Sequence, residues 1–434
     1  MARHRPAVAI ESIERMGRRI MNRYLHFGQQ GTERKTPTAE EILQDTQSFS
    51  LVLGGPLYQL LRRTHMADDA LALVRQRVLV ISLLAWLPLL VLAAVDGHLL
   101  GNRVALPFLL DFEAHIRFLV AVPLLIIAEL VVHRRLRPIA RAFLERKIIP
   151  EASVTRFDEA VRSAFRLRNS VATELLLIAF VYGVGVLVVW RHYTAMQTTS
   201  TWYAIPTASG LTLSLAGFWY AYVSVPLFQF LLIRWYFRVF IWARFLWQVS
   251  RIELSLVPTH PDRVGGLGFL ANTVYAFMTL LAAHGAMLAA QFANRIFFAG
   301  ATLTEFKVET ATMVLFLLCL VFAPLLVFAP QLAQAKRTGL SEYGTLAERY
   351  VREFDAKWVR GGAPGGEALV GSGDIQSLAD LANSFDVVRT MRIAPITKDA
   401  IVRLAAAVLI PIVPLALTMM SLEDLLKRLF GLVF

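Results

Sequence analysis

The stretch Val78–Val95, which reads VLVISLLAWLPLLVLAAV, contains no charged side chain. Because a helix needs about 20 mostly apolar residues to cross the hydrocarbon core of a bilayer, this stretch predicts a transmembrane helix. The composition of the 434-residue chain agrees, since 56% of its residues are hydrophobic and 18% are charged, against about 45–50% and about 25% in soluble domains. The composition therefore excludes a soluble globular protein.

Six further stretches have the length and hydropathy of membrane spans. They are Ile116–Val132, Val171–Trp190, Leu211–Ile233, Leu267–Gln291, Thr310–Phe328 and Leu404–Met420. The sequence therefore predicts an all-α fold, a polytopic transmembrane helix bundle of about seven spans. The last span carries Pro411 and Pro414, and we expect a kink there, because neighbouring helices can satisfy the carbonyl groups that proline leaves free.

Basic residues alternate between the segments that connect these spans. Of the 44 Lys and Arg residues, 37 lie in the N-terminal tail and in segments 133–170, 234–266 and 331–403, and the other 7 lie elsewhere in the chain. Because cytoplasmic loops carry an excess of Lys and Arg, the alternation predicts a cytoplasmic N-terminus and a C-terminus outside. The net charge of +12 lies on the predicted cytoplasmic face, which predicts binding to anionic lipid headgroups. No groove-binding motif accompanies this charge, so we expect no nucleic-acid partner.

The sequence divides into six regions. They are a basic tail at 1–77 with amphipathic or interfacial helices, spans one to four at 78–233 with a basic loop at 133–170, an aromatic and basic helix extension with a loop at 234–266, spans five and six at 267–328, a cytoplasmic helical segment at 329–403 with a glycine-rich hinge at 361–371, and the last span with a short amphipathic C-terminus at 404–434. Within 329–403 the pattern predicts one helix near Ser341–Trp358 and another after Asp374. The tail lacks the features of a signal peptide, so we expect the mature chain to begin near Met1.

The most distinctive local sequence is PTHPDRVGGLGF, Pro258–Phe269, just before span five. Two prolines stiffen a turn, and glycines lead into a helix N-terminus, whose free amide groups and dipole favour an anion. One hypothesis is an anion or lipid-headgroup site with Arg263 and His260 as donors. The alternative, which the incomplete glycine pattern favours, is that Asp262 caps the helix and the glycines permit close packing. The candidate residues are His260, Asp262, Arg263, Gly265 and Gly266.

Four polar residues within the predicted spans are further candidates. His284 lies near the centre of span five, and Asn272 lies on the same helix close to the same face. A proton or ion path through His284 is one hypothesis, and a neutral imidazole hydrogen-bonded to a neighbouring helix is the commoner alternative. Glu129 and Glu174 lie at cytoplasmic span ends near arginines, so interfacial ion pairing explains them better than a proton relay does.

Two spans carry patterns that predict packing surfaces. Ala282, Ala286 and Ala290 form a small-residue stripe on span five, which predicts a central position in the bundle. Beyond Ile233, span four continues into an aromatic and basic segment that predicts an anchor with its arginines snorkelling at the inner interface. Such an extension also offers an assembly surface, and a homo-oligomer is one prediction.

Several chemical classes are excluded by missing motifs. The chain has no G-x-x-x-x-G-K-[ST] loop, no H-E-x-x-H motif and no His and carboxylate cluster with metal-ligand spacing. Its one cysteine, Cys319, lies in an apolar run and has no partner for an intramolecular disulfide. We therefore expect no ATP-driven pump, no metal site and no cofactor.

Four stretches together resemble a group of uncharacterised bacterial multi-pass membrane proteins. They are Leu53–Leu57, Thr259–Phe269, Asp374–Leu381, and the proline-rich last span followed by Leu422–Arg428. The resemblance covers most of the chain and implies a bacterial inner membrane. It carries no activity and no site residue.

Three functional hypotheses follow from these patterns. The first is a channel-like or transport protein that is not driven by ATP, with span five and the loop before it lining the functional region. The second is a membrane sensor or scaffold that binds a partner through its basic cytoplasmic face. The third, ranked last, is a lipid-modifying enzyme that uses His260 and Asp262 at the interface.

Overall fold

The computed structural model describes residues 50–52, 54, 74–101, 103–190, 199–207 and 210–419. The described residues form nine helices of at least ten residues, two short 3₁₀ helices (Phe108–Leu110 and Glu151–Ser153) and one two-stranded sheet. The helices are α1 (Val74–Val95), α2 (Phe112–Glu145), α3 (Val154–Arg168), α4 (Val171–Phe180, continued by π-helical turns over Val181–Trp190), α5 (Leu215–Val249), α6 (Leu267–Ala299), α7 (Leu303–Val359), α8 (Gly373–Arg389) and α9 (Lys398–Thr418). The predicted tail helices, most of Leu51–Leu61 and the predicted amphipathic C-terminus lie outside the described residues.

The prediction of an all-α multi-pass bundle is confirmed. Six of the described helices, α1, α2, α5, α6, α7 and α9, are long and apolar enough to cross a membrane. A seventh span is present if Glu151–Arg168 and Val171–Leu187, which are bent by 48° at their junction, count as one. The predicted third span is the second arm of this bent pair.

The segments that connect alternate spans gather at one end of the bundle, which we call the basic end. There the amide of Ser255 donates to the carbonyl of Ile148, and the side-chain amide of Gln331 donates to the carbonyl of Ser250 at 2.6 Å. Six aromatic side chains fill this end, with ring centroids 5.1–6.1 Å apart in the contacting pairs. They are Phe143, Phe157, Trp242, Phe245, Phe269 and Phe328. This aromatic block closes the basic end of the bundle around α6.

Helix α6 is central, as its small-residue stripe predicted. In its most apolar window 72% of the residues are buried, against 22–50% in the other five helices. It packs against α2 and α9 along most of its length. A Cβ atom on Gly285 would come within 2.2 Å of the carbonyl oxygen of Val408 in α9, so the two backbones touch at this glycine.

Three predictions about local structure were wrong. Leu211–Leu213 belong to strand β2 (Gly210–Leu213), which pairs antiparallel with β1 (Ala204–Thr207), so the fourth span begins only at Leu215. The helix begins there because the Ser214 hydroxyl accepts a hydrogen bond from the Gly217 amide, which caps the first turn.

The second wrong prediction concerns where the helix near Ser341–Trp358 begins, since the helix itself is present but is not separate from the sixth span. Helix α7 continues without a break from the sixth span to Val359. Pro324 and Pro330 do not interrupt it, because the backbone tightens into 3₁₀ turns over Ala323–Phe328 and each proline stands in the first turn of its segment.

The third wrong prediction concerns the arginines that follow the fourth span. Arg234 and Arg238 do not snorkel at a surface, since they are only 7% and 4% exposed. Helix α3 packs against this part of α5, and the carboxylate of Glu129 attracts both guanidinium groups to the interior. The part of α5 that follows the predicted fourth span is therefore buried in the core of the bundle.

Candidate functional site

A polar cavity of about 590 Å³ opens at the end of the bundle opposite the basic end. It lies where the start of α2, the first turns of α5 and the last turns of α6 meet, next to the segment that carries the β-hairpin. Its charged and polar lining includes Asp111, Glu113, Arg117, Thr201, Tyr220, Gln229, Gln291, Asn294 and Arg295. We call this space the outer cavity.

A hydrogen-bond network holds the wall of the outer cavity in place. Asp111 is 3% exposed, caps α2 by accepting from the Ala114 amide, and also accepts hydrogen bonds from Trp202 at 2.9 Å and Asn294 at 2.8 Å. These bonds join α2, the hairpin segment and α6. Because a buried carboxylate needs several donors, the arrangement orients groups from three separate parts of the chain.

Arg117 lies six residues after Asp111, and two of its three side-chain nitrogens are hydrogen-bonded, whereas the buried Nε has no partner among the described residues. It donates to the carboxylate of Glu113 on its own helix and to the hydroxyl of Tyr220 on α5. Both partners line the outer cavity with it. Arg117 and Glu113 therefore hold one positive and one negative charge side by side in the cavity wall.

A second cavity of about 250 Å³ lies deeper between α2, α5, α6 and α7. It shares Glu113 and Gln291 with the outer cavity, so the two spaces adjoin at these side chains. The rest of its lining is mostly apolar, with Tyr236 and His284 as further polar groups. We call this space the inner cavity.

His284 and Tyr236 form a hydrogen-bonded pair at the inner cavity. Nε2 of His284 lies 2.8 Å from the Tyr236 hydroxyl, and Nδ1 lies 2.8 Å from the carbonyl oxygen of Leu280. Because a carbonyl oxygen only accepts, Nδ1 carries a proton and donates it, so in the neutral ring Nε2 accepts from tyrosine. The imidazole therefore hydrogen-bonds to a neighbouring helix, as the hypothesis of a neutral structural histidine requires. It also lines a cavity, as the hypothesis of a proton or ion path requires.

Asn272 does not join this site. It is exposed at the basic end of α6, about 18 Å from His284 along the helix axis. The chain between them is regular α-helix, and twelve residues correspond to three full turns and a further rotation of about 120°, so the predicted shared face was wrong.

Glu129 lies in a buried ion cluster on the other side of α5. Its carboxylate accepts from Arg77 at 2.6 Å and from Arg238 at 2.7 Å, and Arg234 lies 3.6 Å away. Arg234 also contacts Glu174 at 3.4 Å. Two residues along an α-helix correspond to a rotation of about 200°, so Arg234 and Arg238 point away from the face that carries Tyr236.

The sequence suggested arginine partners for the two glutamates but not the correct ones. It pointed to arginines near each glutamate in the chain, whereas the actual partners come from α1 and α5. The four-residue spacing of Arg234 and Arg238, which places both on one helix face, was the available signal. No sequence feature singled out Arg77.

The loop before α6 is organised around Asp262. Its carboxylate accepts hydrogen bonds from the amides of Val264 at 2.9 Å, Gly266 at 3.2 Å and Gly268 at 2.7 Å. Burial raises the pKa of this carboxyl, but the three amide bonds outweigh that effect and hold the pKa below its ordinary value. The amides that the anion hypothesis requires to be free are thus bound by the chain's own carboxylate.

The other predicted residues of this loop have different surroundings. His260 Nδ1 lies 2.9 Å from Asp262, and Arg263 is exposed with a positive φ of 57°. Gly265 and Gly266 are buried with φ of 65° and 98°, a conformation that favours glycine. The geometry favours the capping role of Asp262, and anion binding by Arg263 and His260 stays a prediction.

We expect Asp262→Ala to lower the free energy of unfolding by about 1–3 kcal/mol, because it leaves amide groups without an acceptor. The native pKa is depressed, so the carboxylate contributes fully at neutral pH, and this contribution is lost as the pH falls through the native pKa. The difference between the variant and the wild type should therefore stay constant from pH 7 down to about pH 4, the ordinary pKa of an aspartate, and shrink below that pH. Thermal melting in detergent measures both effects.

The matched control for this experiment is Arg263→Gln, which changes an exposed side chain in the same loop. It should change the melting temperature little, because exposed charges contribute about 0–1 kcal/mol. An equal loss of stability in both variants would show that the loop depends on its charge and not on the cap.

Comparison of the chain with protein-family models, with curated proteins and with solved structures finds no match.

Proposed function

We propose that this chain is a transport protein, not driven by ATP, that admits a proton or small polar solute through the outer cavity to the His284–Tyr236 pair. The observation that carries the proposal is the pair of adjoining cavities, which bring polar surface from one end of the bundle to an ionisable side chain inside a span. An ionisable residue inside a membrane span is a candidate functional site by default. We further propose that the protein lies in a bacterial inner membrane, with its basic end in the cytoplasm.

The arrangement of open and closed ends supports transport more than a permanently open pore. On the basic side of His284, Phe277, Leu280 and Leu281 are at most 1% exposed, and the aromatic block lies beyond them. In this proposal the described residues correspond to a state that is open through the outer cavity and closed at the basic end. A transport cycle would require a second state in which the aromatic block separates.

One feature favours a sensor as the second candidate function. Met313 of α7 lines the inner cavity, and the same helix continues to Val359, where Lys357 binds Asp374 of α8 at 2.9 Å. A ligand in the inner cavity would thus contact a helix that extends into the basic segment. In this alternative the cavity binds a signal, and α7 and α8 present the response to a partner.

Proteoliposomes containing the full chain test the proposal. Proton flux is followed with a pH-sensitive dye trapped inside, and K⁺ and Cl⁻ flux with light scattering. We expect flux above that of empty liposomes, and a loss of at least tenfold in His284→Ala. Asn272→Ala is the matched control, because it removes a polar side chain from the same helix outside both cavities, and its flux should stay at the wild-type value.

Two outcomes would contradict transport. Wild-type liposomes that conduct none of the three ions under a pH or salt gradient would remove the support for a conduit. Equal flux in wild type and in a folded His284→Ala variant would show that the solute does not pass this side chain. In the sensor alternative, His284→Ala changes the cross-linking of cysteines placed in α7 and α8 without any flux.

A further inference from the structure

We propose that a small inorganic anion of the size of chloride binds beside Arg234, in a cavity between α3, α4 and α5. This space, the arginine cavity, measures about 20 Å³, which is enough for one water molecule or one monatomic ion. Its polar lining consists of Arg168, Ser170, Glu174, Arg234 and Arg238. The site lies across α5 from the inner cavity and takes no part in the proposed transport route.

The first argument is the balance of charge. Arg168, Arg234 and Arg238 line the cavity, and Arg77 joins the same cluster through Glu129. Against these four arginines the described part of the cluster holds two carboxylates, Glu129 and Glu174, which leaves a formal excess of two positive charges. Burying unbalanced charge is costly, so an anion in this cavity would be stabilising.

The second argument is the geometry of Arg234. Arg77 and Arg238 hold Glu129 at 2.6 and 2.7 Å, the usual distance of a charge-assisted hydrogen bond. Arg234 lies at 3.6 Å from Glu129 and at 3.4 Å from Glu174, although its side chain is only 9% exposed. Both carboxylates therefore interact only weakly with the guanidinium of Arg234, which also lines the cavity. Its N–H groups can donate to an anion there.

Two further groups support the same position. Within the described residues, Nε and Nη1 of buried Arg77 have no hydrogen-bond partner, so only Nη2, which donates to Glu129, compensates the charge that this arginine brings to the cluster. The Ser170 hydroxyl accepts from the Thr173 amide to cap α4, so its own proton remains for donation into the cavity. The first turn of α4 also directs the positive end of its helix dipole to this region.

The size and walls of the cavity select the class of anion. The rest of the lining, which offers no hydrogen-bonding side chain to a tetrahedral oxyanion, consists of Leu51, Gly54, Leu177, Phe237 and Ile241. A space for one atom or one water molecule does not hold a whole phosphate group. Chloride and bromide fit this description.

Thermal melting of the purified full chain in detergent tests the proposal. Chloride is titrated against gluconate at constant ionic strength, so that general screening stays the same. We expect a saturable rise in melting temperature of about 2–4 °C in chloride, and a similar rise in bromide. Arg234→Gln should abolish this rise, and Arg251→Gln, which changes an exposed arginine near the end of the same helix, should retain it.

Line broadening of the ³⁵Cl magnetic resonance signal by the wild-type protein gives a second measurement, which remains valid if Arg234→Gln does not fold. Broadening that bromide reverses supports the site. Equal melting in chloride and gluconate, together with no broadening, would mean that water fills the cavity and would overturn the proposal. Stabilisation by inorganic phosphate and not by chloride would overturn the assignment to a monatomic anion.

Discussion

Glu129→Gln should lower the free energy of unfolding by about 3–5 kcal/mol, the usual cost of removing one partner from a buried ion pair. The glutamine keeps the shape of the side chain but removes the negative charge that Arg77, Arg234 and Arg238 share at 2.6–3.6 Å. Because Glu129 is 3% exposed, water cannot replace the lost carboxylate. We expect a strong fall in both the melting temperature in detergent and the yield of folded protein.

The control is Glu309→Gln, which breaks an ion pair with Arg295 whose side chains are 46% and 44% exposed. Exposed pairs contribute about 0–1 kcal/mol, so this variant should melt close to the wild type. A double variant, Glu129→Gln with Arg77→Gln, should recover part of the loss because it removes one of the stranded charges. If Glu129→Gln has the same melting temperature as Glu309→Gln, the ion cluster around Glu129 does not hold the helices together.

Gly285→Ala should be the second most damaging substitution. The added Cβ would lie 2.2 Å from the carbonyl oxygen and 2.9 Å from the carbonyl carbon of Val408, and these are backbone atoms that cannot rotate away. Helices α6 and α9 must therefore move apart. Overpacking of this kind typically costs about 1–3 kcal/mol, and displaced backbone raises the cost.

Gly183→Ala is the matched control, since it adds the same methyl group to a helical glycine in α4 with no atom within 4 Å. Melting of both variants in detergent makes the comparison. Unchanged stability in Gly285→Ala would mean that α9 does not pack against α6 in the membrane. A loss in Gly285→Ala alone supports the close contact of the fifth and last spans.

The helical segments could be predicted along most of the chain because hydropathy is a property of each local stretch of sequence. A run such as Val78–Val95 has no alternative to a helix in an apolar solvent, where each backbone group must be hydrogen-bonded within its own segment. The central position of α6 was predictable for a similar reason, since small side chains at helical spacing permit close approach on that face. The hairpin was not predicted, because its strands are only four residues long and adjoin an apolar run.

The site could be predicted only in part. His284, Glu129 and Asp262 stood out because ionisable or capping residues are unusual in those positions of a membrane protein. Their partners could not be found, because His284 meets Tyr236 across 48 positions of the chain and Glu129 meets Arg77 across 52 and Arg238 across 109. Contacts over such separations depend on which helix faces meet, and several pairings satisfy the same hydropathy.

The sequence by itself determined that this protein is a helical multi-pass bundle and that α6 is its centre. The free energy of transferring a segment into the bilayer and the spacing of its side chains along a helix are both properties of that segment alone. Only the tertiary structure decided that two cavities adjoin at Glu113 and Gln291, that Asp262 binds the amides of its own loop, and that Arg234 lines a separate small cavity. These features depend on how helices pack side by side. Packing joins residues that are distant in the chain, and its energy arises from shape and charge at each contact, which no local pattern contains.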